Sequence, residues 1–126
     1  MFTYRAEVLR VIDGDTVILD IDLGFSTWLC KQSVRLVGCN ARELKDPGGA
    51  EAREHLSAML PDGLAVTVTT VKPDKFGGRY DARVILPDGR DVTSLLIADG
   101  WAALWDGRGV RPIPPWPRRE VAPPTD

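Results

Sequence analysis

Cysteine and histidine are nearly absent from this 126-residue chain, which has two of the first and one of the second. Cys30 and Cys39 fall in one strand-like stretch, where an extended backbone holds them too far apart to bridge, so both are expected as free thiols. With His55 as the single histidine, no nitrogen-and-sulfur zinc set can be assembled, and any bound metal must be held by oxygen. A cysteine–histidine nucleophile is the lesser option, because nothing in the pattern orients either partner. Net charge is also close to absent. Basic residues number 16 against 18 acidic ones, a balance of −2 that excludes a surface built as a general polyanion trap. Phosphate recognition must therefore be local, and the one basic concentration is residues 107–119, with Arg108, Arg111, Arg118 and Arg119 and no acidic residue. No apolar run approaches the roughly 18 residues of a membrane-crossing helix, and the opening MFTYRAE has no apolar signal core. The expectation is a soluble, cytoplasmic, monomeric protein without a membrane partner.

What is present centres on VIDGDTV, residues 11–17. Ile12 and Val17 are strand residues, and the Asp-Gly between them is the strongest short-range signal for a tight hairpin. One aspartate suits such a turn. Asp13 and Asp15 together add repulsion that the turn does not need, which points either to a bound cation or to a merely solvated hairpin tip. The second cluster is VRLVGCNARE, residues 34–43. Alternation over 28–37 places Cys30, Val34 and Leu36 on one strand face and Lys31, Ser33 and Arg35 on the other. A mid-strand arginine ordinarily serves a solvated face. Residues 40–49 are irregular and polar, so Glu43 is expected on a loop.

Strands are expected over 4–12, 16–23, 28–37, 64–71 and 80–86, and helices over 51–60 and 92–99, the second stopped by Gly100. His55 falls on the flank of the first helix, and Trp101 and Leu104 are expected to pack back on the core. Beyond residue 106 the prolines at 112, 114, 115 and 117 oppose regular structure, so the chain divides into a domain over 1–106 and an extended Pro/Arg-rich tail over 107–126. Three strands, a helix, two strands and a final helix fit an α+β, mainly β architecture: a five-stranded OB-fold barrel with two or three short helices. The architecture alone implies no chemistry.

Four segments in register resemble the staphylococcal (thermonuclease-like, SNase) nuclease family: IDGDTV at 12–17, VRL at 34–36 with NARE at 40–43, DKFGGR at 74–79, and residues 92–102 with Gly100. The likeness covers about residues 4–105, and the family's barrel is itself an OB-fold. It implies Ca2+-dependent hydrolysis of phosphodiester bonds in DNA or RNA. By the same resemblance, Asp15, Asn40 and the backbone carbonyl of Ala41 would be the metal ligands, and Glu43 would position or deprotonate the attacking water. Arg35 and Arg79 would grip the phosphate, with Lys75 and Phe76 near a terminal phosphate and nucleotide. The residue types suit that chemistry, since a hard cation takes oxygen, the water needs an acceptor, and a dianionic transition state needs fixed positive charge.

The sequence departs from the family pattern in several places. Asn40 stands where an aspartate is usual, which removes a negative charge and predicts weaker metal binding. Ala41 and Arg42 replace Thr-Pro, freeing the loop that aims Glu43. Gly77 and Gly78 lengthen the turn before Arg79, the family's later C-terminal helix has no counterpart, and tyrosines flanking the base are unmatched at Trp105 and Asp106. These departures favour an alternative of another class, an SNase-like OB-fold module that binds nucleic acid or a protein partner with little or no cleavage.

Overall fold

The computed structural model describes residues 2–73 and 80–112. Five strands close into a barrel: β1 (Thr3–Asp13), β2 (Thr16–Gly24), β3 (Thr27–Leu36), β5 (Ala65–Pro73) and β6 (Tyr80–Ile85), in the order β1-β2-β3-β6-β5. All neighbouring pairs run antiparallel except β3 and β6, which are parallel at Val34–Tyr80, Arg35–Asp81 and Leu36–Ala82. Two helices, α1 (Gly49–Met59) and α2 (Val92–Ala98), complete the mainly β, OB-fold-like α+β architecture expected from alternation and turn signals. Neither is long and apolar enough to cross a membrane.

The core is aliphatic. Val8, Val17, Leu19, Val34, Leu36, Val68 and Val84 fill the barrel, while Leu56 and Leu60 close it from α1 and Leu96 from α2, all essentially inaccessible. Burying each such side chain contributes about 1.5–3 kcal/mol. Asp91 caps α2, its carboxylate accepting from the backbone N–H of Thr93 at 3.2 Å.

Two further strands were not expected. β4 (Cys39–Ala41) and β7 (Ala102–Leu104) form a separate two-stranded antiparallel sheet pairing Asn40 with Ala103. Residues 40 and 41 are thus strand rather than irregular loop. The pairing also corrects the expectation for Leu104, which is 77% exposed, whereas Trp101 packs on the core. A second correction concerns Cys30. The register steps from Leu19–Gln32 to Ile21–Leu29, so Cys30 and Lys31 oppose Asp20 alone, and Lys31 takes φ 55° while its N–H donates to Asp20 Oδ1 at 2.8 Å. This bulge breaks the alternation and leaves Cys30 exposed, off the face that carries Val34 and Leu36.

Candidate active site

The β1–β2 connection is the tight turn that the Asp-Gly pair implies, with Asp13 and Thr16 as the last paired residues. Asp13 Oδ1 accepts from the backbone N–H of Asp15 at 3.1 Å, the local bond by which aspartate stabilises a turn. Gly14 is required by packing. A Cβ there would lie 2.8 Å from the Ala41 Cβ and 3.1 Å from the Ala52 Cβ, so the turn sits against both β4 and α1. The Asp15 carbonyl accepts from the Leu36 N–H at 2.8 Å, which fastens the turn to the end of β3 and sets Asp15 beside Arg35.

Asp15 is 7% exposed. Its Oδ2 accepts from the Ala41 N–H at 3.0 Å and from Arg35 Nη2 at 3.5 Å, and its Oδ1 from Thr16 Oγ1 at 3.3 Å. Burial raises its pKa from the ordinary 3.8 to about 6, opposed by the Arg35 charge and reinforced by the neighbouring Asp13. The site therefore holds a carboxylate whose negative charge is under-compensated.

Arg35 does not serve a solvated face. Its side chain is 13% exposed, and Nη2 also reaches the Cys39 carbonyl and Asn40 Oδ1, each at 3.3 Å, while its guanidinium carbon lies 5.7 Å from the centre of the Trp105 ring. Asn40 is buried. Its Oδ1 accepts from Arg35 and from Arg111 Nε at 2.8 Å, and its Nδ2 donates to the Pro112 carbonyl at 2.8 Å.

Glu43 lies on the expected loop. Its N–H donates to Asp46 Oδ2 at 2.9 Å, and the Asp46 N–H returns a bond to the Glu43 carbonyl at 2.9 Å. That compact loop passes so close to the start of α1 that a Cβ on Gly49 would fall 1.9 Å from the Glu43 carbonyl oxygen. The Glu43 carboxylate is half-exposed and pairs with Arg111 Nη2 at 3.3 Å and Lys45 Nζ at 3.7 Å. Asp13, Asp15, Arg35, Ala41, Arg42, Glu43, Leu44, Lys45 and Arg111 line one open, polar pocket of about 400 Å3.

Of the residues expected at the site, Asp15, Arg35, Ala41 and Glu43 line this pocket and Asn40 abuts it through Arg35 and Arg111; Arg79, Lys75 and Phe76 lie outside the described residues. Sequence reasoning missed Arg111 and Pro112, which it assigned to an extended tail, and the stacking of Trp105 on Arg35. The basic composition of 107–119 was the only signal, and it carries no information on where the chain returns.

The pocket offers oxygen donors suited to a hard cation: the Asp15 carboxylate, with Asp13 and Glu43 on its walls. Among the described residues no three histidine, cysteine, aspartate or glutamate side chains converge on one point, so an ion here would keep much of its water. Cys39 and His55 are held in packing roles rather than as a nucleophile pair. Burial pushes the Cys39 thiol up to about 12, and His55 stacks on Trp101 at 4.9 Å with Asp99 3.8 Å away, as part of the packing between α1 and the segment after α2.

No family model matches the chain. Over 112 residues it is 29% identical to a protein of Escherichia coli O157:H7 named an uncharacterized endonuclease, covering 88% of this chain and 67% of the relative. A protein of Escherichia coli with the same name matches to the same extent. Over 119 residues it is 32% identical to the Escherichia coli protein named ParB, covering 86% of this chain and 62% of that relative.

Proposed function

We propose that this chain is a metal-dependent nuclease that hydrolyses phosphodiester bonds of DNA or RNA with Ca2+. The observation that carries the reading is that Asp15, Arg35 and Glu43, brought from a hairpin turn, a strand end and a loop, line one polar pocket. The similarity to proteins named endonuclease supports a nuclease-like relationship, and the four-segment resemblance to the SNase family supplies the roles.

The donor set fits Ca2+, since the buried Asp15 carboxylate is only partly offset by Arg35 at 3.5 Å and the pocket's donors are oxygen. Asp15 would hold the ion, with Asn40 and the Ala41 carbonyl as further donors; bound there, Ca2+ supplies positive charge and Lewis acidity beside the phosphate. Arg35, whose hydrogen bonds to the described residues run through Nη2, donates to a non-bridging phosphate oxygen and stabilises the charge that gathers in the five-coordinate transition state. Glu43 accepts a proton from water as the water oxygen forms its bond to phosphorus and the ester P–O bond breaks, the departing alkoxide taking a proton from solvent. Arg79 acts as a second phosphate contact, and Lys75 and Phe76 hold the nucleotide.

A binding module without cleavage is the second reading. It is favoured by the state of Asn40 and Glu43, whose oxygens are engaged by Arg111. Digestion of heat-denatured DNA and of RNA in millimolar Ca2+ separates the two. Under the nuclease reading, cleavage is abolished by EDTA and falls at least about 100-fold in Glu43→Gln, the usual contribution of a positioned general base. Binding of the same substrates with no cleavage by the wild-type protein would reject the enzyme and retain the module.

A further inference from the structure

The segment after β7 does not leave the molecule at residue 104; it turns back and closes on the candidate site. The Trp105 N–H donates to the Gly38 carbonyl at 3.1 Å, and its indole Nε1 donates to the Arg108 carbonyl at 2.9 Å. Asp106 Oδ1 accepts from the Arg108 N–H at 2.9 Å. These bonds form a strap over residues 105–112 whose far end delivers Arg111 and Pro112 to Asn40.

We propose, resting on the metal-dependent reading above, that Arg111 is a tethered occupant of the cation site, and that its guanidinium competes with a divalent cation for Asn40 Oδ1 while pairing with the base Glu43. Nε on Asn40 Oδ1 at 2.8 Å and Nη2 toward Glu43 Oε2 at 3.3 Å place one positive charge between an expected metal donor and the expected base. A guanidinium arranged to clamp a phosphate would direct those donors into the open pocket. Here they are spent on protein oxygens that the hydrolysis needs.

The identity of residue 40 fits this strap. The Asn40 amide both accepts from Arg111 and donates through Nδ2 to the Pro112 carbonyl, each at 2.8 Å, a pairing that an ionised aspartate cannot make. An aspartate would oppose a carboxylate oxygen to that carbonyl and lose the bond. The neutral residue that weakens a calcium shell is thus the residue that lets the strap seat. The Glu43 end of the contact is open to solvent, the Arg111 and Glu43 side chains being 45% and 43% exposed.

Calorimetric titration of the full chain with Ca2+ tests this directly, without reliance on cleavage. Arg111→Gln is expected to bind Ca2+ about tenfold more tightly than wild type, the fold-change corresponding to loss of a modest charge-assisted contact. Arg108→Gln removes the same charge from the same strap without touching the site and is expected to leave the affinity within about twofold, the residue of a distant, screened charge. Equal or weaker Ca2+ binding by Arg111→Gln, in a protein whose Ca2+ binding is lost in Asp15→Asn, would overturn the inference and leave the metal site standing. No measurable Ca2+ binding by wild type or either arginine variant would remove the cation site itself and the inference with it. Thermal midpoints of all variants, compared with wild type in EDTA, establish that each is folded.

Discussion

Asp15 combines features that a hairpin tip alone would not retain: burial, a second carboxylate two residues away, and an ion pair at the long distance of 3.5 Å. Its raised pKa has a stability consequence whose sign is fixed. A carboxyl that titrates near 6 in the fold and near 3.8 when unfolded favours the fold below pH 3.8, and that contribution is lost as the pH rises through 6. Without divalent ions, ionised Asp15 thus strains the native state at neutral pH. Asp15→Asn, which keeps an acceptor for the Ala41 N–H, is expected to stabilise the protein in EDTA at pH 7 by on the order of 2 kcal/mol. Melting curves of the two proteins from pH 4 to pH 7 should show the variant's advantage growing across that window. Added Ca2+ should then raise the wild-type midpoint and leave that of the variant unmoved. A variant that melts below wild type at pH 7 in EDTA would show that the Arg35 pair outweighs burial. The candidate residue itself was legible in the sequence as an acidic excess over what a turn requires. Its burial was not, because that depends on β4 and α1, whose approach no local pattern encodes.

The element that carries the site is the β1–β2 hairpin wedged between β4 and α1, and its tolerance is set at Gly14. An alanine Cβ would meet the Ala41 and Ala52 methyl carbons at 2.8 and 3.1 Å, so the turn or the helix must shift. Gly14→Ala is expected to cost about 2 kcal/mol in urea unfolding, in the range of overpacked cores, and to lower any Ca2+ affinity because the Asp15 carboxylate moves with the turn. At this scale the barrel strands and both helices were legible, since alternation and capping signals extend over six residues or more. β4 and β7 were not. Three-residue strands have no measurable period, and their pairing is decided by where α2 delivers the chain. The bulge at Cys30 and Lys31 escaped for a related reason, because alternation counts residues in one strand and cannot see that Asp20 across the ladder faces two of them.

At the scale of the whole molecule, the near-zero net charge confines polyanion attraction to the pocket and its rim, where Arg35, Lys45 and Arg111 gather. Binding of single-stranded DNA measured in EDTA should therefore depend only mildly on salt. Three phosphate contacts, those proposed above for Arg35, Arg79 and Lys75, at about 0.7 each predict a slope of log K against log salt of roughly −2. A slope steeper than about −5 would mean that other cations, such as the arginines of 113–126, take part. The pairing of β4 with β7 also sets an order of events when the chain is made. Asp15, Arg35 and Glu43 emerge before residues 102–112, and the barrel can begin to zip once β6 has appeared. The strand bearing Asn40 gains its β partner, and the pocket its Arg111, only after residues 102–112 have left the ribosome. A nascent chain arrested before that point carries the acidic hairpin, the arginine of β3 and β4, but neither the strand that pairs with β4 nor the guanidinium that reaches Asn40 and Glu43. The acidic and basic groups of the site are therefore synthesised before the β7 strand and the guanidinium that complete it.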